Sequence, residues 1–391
     1  MSYQLTPEML IDQARKMTGL DDFGADTWMP GLAALVRSLN TDVAPSEGCF
    51  NYFFTVLSQV LANRLEVQAL VARHPEITKQ AIKHPLIITG LPRTGTTIAH
   101  TLLALDPCAR FIRNWESAMN ICPPPGLMPR DIDPRAQAYH AGMEGLFSAM
   151  PGLRGINGVN FMAHGTAECQ NLTAHEFAHF GYAAGSSLFS YGDYLSDCDY
   201  KPVYRYHKLL LQVLQWKTPN ERWVLKAPMH LFGLKALLGV YPDARIIFTH
   251  RDPLSAVSSG ISMVEQWTRF TTGTANRRAI VNWWIRVWSH GLKQAMDIRQ
   301  HLGPNRVYDL FHEELPRSPA ETVKNIHTHF NIPFLRSHSQ RIRAWLADNT
   351  RPSFGSHDHR LTADEQKQAS TAFAFYNAWL KAHHSSDSSG L

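Results

Sequence analysis

Residues 84–107, HPLIITGLPRTGTTIAHTLLALDP, limit what this chain can become more than any other stretch. Leu86-Ile87-Ile88 is a short apolar run of the kind that forms a buried parallel strand. It breaks into Gly90-Leu91-Pro92-Arg93-Thr94-Gly95-Thr96-Thr97. Ile98, Thr101, Leu102 and Leu105 then recur at helical spacing until Asp106-Pro107 stops the helix. Strand, glycine-bracketed turn and helix start together make an anion site. The first-turn N–H groups have no intrahelical partner, the helix dipole is positive there, and glycine lets a phosphate approach the backbone.

The spacing nearly matches a Walker A loop. Gly90 and Gly95 stand at the glycine positions of GxxxxGK[ST], and Thr97 stands at the hydroxyl position. Thr96, however, occupies the lysine position, and the loop's only cation is Arg93. A kinase or nucleotide hydrolase needs that lysine on the β/γ-phosphates and a Mg²⁺ ligand set. This loop reads instead as built for one phosphate and chemistry that does not depend on Mg²⁺.

The loop LPRTGTT resembles the 5′-phosphosulfate loop of the sulfotransferases that use 3′-phosphoadenosine-5′-phosphosulfate. A second block, RWVLKAPMHL from Arg222 through YPDARIIFTHRDP ending at Pro253, is similar to the part of that superfamily carrying a lysine on one strand and the 3′-phosphate arginine after the next. The likeness covers roughly residues 84–360. It is nearest to the bacterial branch with LPRTGTT loops, and it extends to the tyrosylprotein sulfotransferases. It implies that Arg93 and the N–H groups of Thr94, Gly95, Thr96 and Thr97 hold the 5′-phosphosulfate. Arg251 and Ser259, eight residues later, would clamp the 3′-phosphate, a task that suits the planar arginine fork. Several relatives place a catalytic glutamate just after the first helix, which makes Glu116 the expected general base. The plainer reading of Glu116 is a surface carboxylate pairing Arg113. Lys226 would stabilise charge on the bridging oxygen as the S–O bond breaks, and a strand-terminal cation suits that role in an α/β sheet. His230, four residues on, is a reserve base, with His175 and His207 also open.

The 391 residues, 44% hydrophobic and 18% charged, suffice for one large α/β domain with spare length for helices. A net charge of +5 suits an anionic cofactor without arguing for a nucleic-acid surface. The five scattered cysteines form no CxxC pair, so a reducing compartment is expected. The N-terminus MSYQLTPEML lacks a basic n-region and an apolar h-region. No apolar run approaches the roughly 18 residues of a membrane span. A soluble, cytoplasmic protein is expected; oligomeric state stays open.

Residues 1–83 read as a helical extension of the same globule, either a cap over the substrate pocket or packing. Residues 84–380 read as the α/β domain, with a central, mostly parallel, P-loop-like sheet flanked by helices, and 381–391 as a disordered tail. Aromatics are dense over residues 177–206. They are more simply core than pocket wall, although they tilt the acceptor toward an apolar or aromatic molecule. His175-Glu176-Phe177-Ala178-His179 fits the H-E-x-x-H zinc signature, which on a helix would put both histidines on one face. It lacks a third ligand downstream. His357-Asp358-His359 likewise lacks partners. Near the C-terminus Ser353-Phe354-Gly355 stands where relatives often carry a basic residue and glycine that close on the cofactor, and Ser353 departs from that pattern.

The expected function is sulfuryl transfer from 3′-phosphoadenosine-5′-phosphosulfate to a hydroxyl or amine of a small molecule, releasing adenosine 3′,5′-bisphosphate, with no metal required. The alternatives are a P-loop-type kinase or nucleotide hydrolase and, further off, a zinc hydrolase using His175 and His179.

Overall fold

The computed structural model describes residues 3–43, 46–117, 121–128, 133–149, 162–218, 222–349 and 361–384. Ser353, Gly355, His357 and His359 lie outside these.

Five strands form one parallel sheet: β1 (Leu86–Gly90), β2 (Ala109–Arg110), β3 (Arg222–Lys226), β4 (Arg245–His250) and β5 (Val307–Phe311). Their order is β2-β3-β1-β4-β5. β1, whose five residues are all buried, lies at the centre, as its run of branched apolar residues requires. The chain leaves β1 toward one edge, returns through β3, and then crosses to β4 on the other side of β1. The strand order therefore reverses at β1, and in open α/β sheets such a switch point opens a crevice at the carboxyl ends of the strands. The register sets Ile88 beside Lys226 and Gly90 beside Thr249, so the ends of β1, β3 and β4 meet at that crevice.

Helices pack on both faces. The smaller core, between the sheet and the C-terminal helices, joins Leu86, Ile88, Leu102, Val224 and Ile247 to Val323, Ile326, Phe330 and Ile342. The larger core runs from Leu10 through Phe53 and Leu61 to Trp283, Trp284, Trp288 and Tyr376. The three N-terminal helices, Pro7–Thr18, Met29–Thr41 and Glu47–Arg73, thus share their packing with the rest of the chain. The first is capped by Thr6 with Pro7 following, as its sequence requires. The third starts at Glu47, where Ser46 accepts a capping bond from Cys49 N. The dense aromatics Phe177, Phe180, Tyr191, Tyr200 and Tyr204 are buried in the larger core. No helix among the described residues is long and apolar enough to cross a membrane.

Candidate active site

The phosphate loop is shaped by its two glycines. Gly90 ends β1 at φ 150°, and a Cβ there would fall 2.2 Å from Thr249 Oγ1. Gly95 takes φ 92° and serves as N-cap of the helix Thr96–Ala104 without any side-chain capping bond. The first-turn N–H groups therefore face the crevice, where an anion can satisfy them. The Thr94 hydroxyl is buried and used internally. It donates to Leu91 O at 2.6 Å and lies 2.6 Å from Thr249 Oγ1, so this residue offers the site only its backbone.

Arg93 sits in the loop with φ 70°, unusual for a residue with a side chain. Its Nε donates to Ser259 Oγ at 3.0 Å, and Arg251 Nη1 donates to the Arg93 carbonyl at 2.8 Å. Three residues expected at opposite ends of one nucleotide are thus in direct contact. Desolvation, then the charge of Arg251, pushes the Arg93 guanidinium below its ordinary range, and desolvation does the same to Arg251. Two guanidinium groups crowded together raise the local positive potential and favour an anion between them. Asp252 caps the helix Pro253–Thr272 through Ser255 N at 2.8 Å, which fixes the turn where Arg251 leaves β4. Behind it, the backbone of Arg251 hydrogen-bonds the Tyr376 hydroxyl, and His250 bonds Tyr376 and Asp309 at 3.0 and 2.9 Å.

Lys226 ends β3 almost wholly buried, with Nζ 3.5 Å from Thr97 Oγ1. The cation missing from the loop's own sequence therefore arrives from the neighbouring strand. Lys226 also forms a close ion pair with Glu168, whose side chain is 29% exposed. Glu168 was not among the expected site residues. Its position is held by Cys169 N, which donates to Lys226 O at 2.8 Å, and by Gln170 Nε2, 2.8 Å from its second oxygen.

The expected base, Glu116, has a different environment. Its carboxylate is fully buried and takes two hydrogen bonds from Arg110, at 2.7 and 3.0 Å, and one from Arg113 N at 3.0 Å. The Arg110 guanidinium stacks on Trp223. This carboxylate caps the short turn Asn114–Glu116 and neutralises a buried arginine, so most of its hydrogen-bonding capacity is used within the fold. It does pair with Arg113, whose Nη1 lies 3.9 Å from its Oε2, but from a buried position and not from the surface. The reserve histidines are also enclosed. His230 Nδ1 meets Tyr204 Oη at 2.8 Å, and burial, then the charges of His207 and Lys226, holds its pKa well below 6.5. His207 meets Tyr241 Oη at 2.7 Å and is lowered to about 3 by burial.

The H-E-x-x-H match is corrected. The segment is not one helix: a 3-10 turn ends at Glu176, Phe177 takes φ 49°, and His179 caps the following helix. The histidines therefore do not share a face. His175 bonds Leu172 O and Asn63 Nδ2, and Glu176 is locked to buried Arg64 at 2.8 Å. Arg64 also donates to Phe23, Ala25 and His175 carbonyls, so this cluster staples the N-terminal helices to residues 175–176.

Residues 85–336 match the model of the Sulfotransferase family. The solved structure of sulfotransferase STF9 from Mycobacterium avium superposes with a TM-score of 0.85, at 27% identity over 96% of each chain. That of STF1 from Mycobacterium tuberculosis gives 0.81 at 29% identity, over 95% of this chain and all of the other. A curated relative, the omega-hydroxy-beta-dihydromenaquinone-9 sulfotransferase Stf3 of Mycobacterium bovis, is 24% identical over 148 residues, and the match spans only 37% of either chain.

Proposed function

Because the chain belongs to the sulfotransferase family, we propose that it is a cytoplasmic enzyme moving the sulfuryl group of 3′-phosphoadenosine-5′-phosphosulfate to a hydroxyl of an apolar small molecule. The observation that carries this reading is the composite phosphate site. The loop lacks the Walker lysine, Lys226 reaches Thr97 from β3, and Arg251 and Ser259 touch Arg93. One adenosine bisphosphate has anionic groups at both ends, and this arrangement offers a donor set to each.

The 5′-phosphosulfate would lie on the N–H groups of residues 94–97 with Arg93 over it, and the 3′-phosphate on Arg251 and Ser259. Arg93 would leave Ser259 as the nucleotide enters. Glu168 would take the acceptor's hydroxyl proton while the oxygen attacks sulfur. The S–O bond to the 5′-phosphate breaks, its electron pair stays on that phosphate, and Lys226 offsets the charge that develops there. Products are the sulfate ester and adenosine 3′,5′-bisphosphate, with the proton on Glu168. The Lys226–Glu168 pair would hold both groups poised, and the partly exposed carboxylate leaves room for an acceptor hydroxyl to approach. A hydroxylated lipid-like acceptor is supported by the likeness to Stf3, whose name describes a menaquinone alcohol.

The test is transfer of radiolabelled sulfuryl from the donor to a series of alcohols of increasing apolar length. Labelled ester, formed without Mg²⁺, is expected. Mg²⁺-dependent release of phosphate from ATP, with no ester formed, would contradict the reading.

A further inference from the structure

The helix that starts at the phosphate loop ends against a second polar cluster. It runs from Thr96 to Ala104, about 13 Å at 1.5 Å per residue, and two residues later Asp106 turns inward. There it meets His327, from the helix Pro319–His329, and His338, from the helix Arg336–Asp348. One nitrogen of each imidazole and one carboxylate oxygen lie within 4.8 Å of one another, and all three residues are buried. The surroundings are apolar, with Leu102, Ile326 and Ile342 in the same core.

Both imidazoles have their tautomer set by a backbone carbonyl. His327 Nδ1 lies 3.2 Å from Pro333 O, and His338 Nε2 lies 2.9 Å from Leu102 O. A carbonyl only accepts, so these nitrogens carry the protons. His327 Nε2 and His338 Nδ1 are left as bare lone pairs, and neither has a hydrogen-bond partner. A buried acceptor without a donor is costly, and two of them on imidazoles clustered with a buried carboxylate call for one occupant that satisfies all three. Metal-binding histidines carry this signature: the far N–H donates to a carbonyl, fixing the ring and strengthening the ligand nitrogen.

Two imidazoles and a carboxylate suit Zn²⁺ best among common divalent ions. Zinc bonds of about 2.0–2.2 Å put tetrahedral ligand atoms about 3.4 Å apart, so the cluster would close by at most about 1.4 Å. Asp106 already takes a hydrogen bond from Arg222 Nη2 at 2.9 Å on one oxygen and from Cys108 N at 3.0 Å on the other. An ionised carboxylate has about four lone-pair sites, so each oxygen keeps one for a metal. Arg222 is a like charge to the ion. It weakens the site relative to one with two carboxylates, without blocking the two nitrogens.

We propose that Asp106, His327 and His338 form a structural zinc site, completed by a water, that pins the two C-terminal helices to the far end of the phosphate-loop helix. The test uses the full chain without a histidine tag. It is loaded with Zn²⁺, desalted, and titrated against a chromophoric chelator. One zinc per chain is expected, with affinity falling at least 100-fold in His338→Gln and in Asp106→Asn. Should the variants fail to fold, Co²⁺-loaded wild-type protein decides, because a tetrahedral visible spectrum is expected from this ligand set. Absence of stoichiometric zinc, zinc binding unchanged in both folded variants, or an octahedral cobalt spectrum would overturn the proposal and leave a bridging water as the occupant.

Discussion

Glu116 and Glu168 both pair with a buried cation near the carboxyl ends of the strands, yet their settings differ in every other respect. Glu116 is sealed: it is fully buried and takes three hydrogen bonds from Arg110 and Arg113 N. Glu168 is half-open, and its cation also reaches the phosphate loop. A saturated carboxylate has done its work once the chain is folded. A partly exposed one beside a loop-directed lysine still has capacity for a substrate proton. Arg93 and Arg251 belong to the second kind: the Arg251 guanidinium donates to the Arg93 carbonyl, and burial, then the charge of Arg251, lowers the Arg93 pKa. Side chains that satisfy one another hold the fold, and those that leave charge unbalanced await a ligand.

The sharpest way to break this contrast is to neutralise each carboxylate. Glu168→Gln should lower kcat by about 10²–10⁴-fold, the usual weight of a general base, while bisphosphate affinity stays within a few-fold. Glu116→Gln should leave kcat within a few-fold but destabilise the fold by about 3–5 kcal/mol, because Arg110 is left buried with its charge uncompensated. Denaturant titration and initial rates on the two variants separate the cases, and exchanged outcomes would return the base role to Glu116.

The next effect down concerns the crowded arginines. Arg251→Ala removes a charge-assisted phosphate contact and should weaken adenosine 3′,5′-bisphosphate binding by about 10–100-fold, read by calorimetry. Tyr376→Phe, which removes the hydroxyl that meets the Arg251 backbone and His250 Nδ1, should weaken it by less than about 10-fold without altering the pH profile of kcat. A larger loss in the tyrosine variant would mean that the C-terminal helix, not the arginine itself, governs the site.

The smallest effect comes from the enclosed groups. Burial lowers His100 and His207 to about 3, and His175 and His179 to about 4. Their native pKa values lie below the unfolded value of about 6.5, so between those limits the unfolded chain binds more protons. Stability is then complete above about pH 6.5 and is lost as pH falls toward 4. Asp309 works in the same direction at lower pH. Burial alone would raise it, but hydrogen bonds from His250 and Arg299 bring it to about 2. The thermal midpoint should fall steadily from pH 7 to 5, and a midpoint flat over that range would mean these histidines are open to protonation in the native state.

The β1 turn-helix unit was legible because its signals are local: an apolar run, two glycines, a helix start. The strand and helix that carry Arg251 and Ser259 were legible for a similar reason, since β4 and the Asp252-Pro253 helix start lie in one recognisable block. Glu168 was not legible. It is 58 residues from Lys226, and long-range bonds such as the bridge between Arg113 and Thr166, Ala167 N to Ile112 O and Cys169 N to Lys226 O bring it into place. At Glu116 sequence shows the acid but not Arg110, which folds back to bond both of its oxygens. The H-E-x-x-H segment misled because spacing presumes a helix, and the left-handed Phe177 breaks one. Where chemistry depends on which partner fills a side chain's hydrogen-bonding capacity, linear spacing carries little of the answer.

The proposed function requires one nucleotide to bridge the loop and the Arg251–Ser259 pair. Calorimetric titration of the wild-type chain with adenosine 3′,5′-bisphosphate, with and without Mg²⁺, tests that most directly. One molecule bound per chain, indifferent to Mg²⁺ and displacing any ATP, is the predicted result. No bisphosphate uptake, or tighter binding of ATP with Mg²⁺, would contradict it.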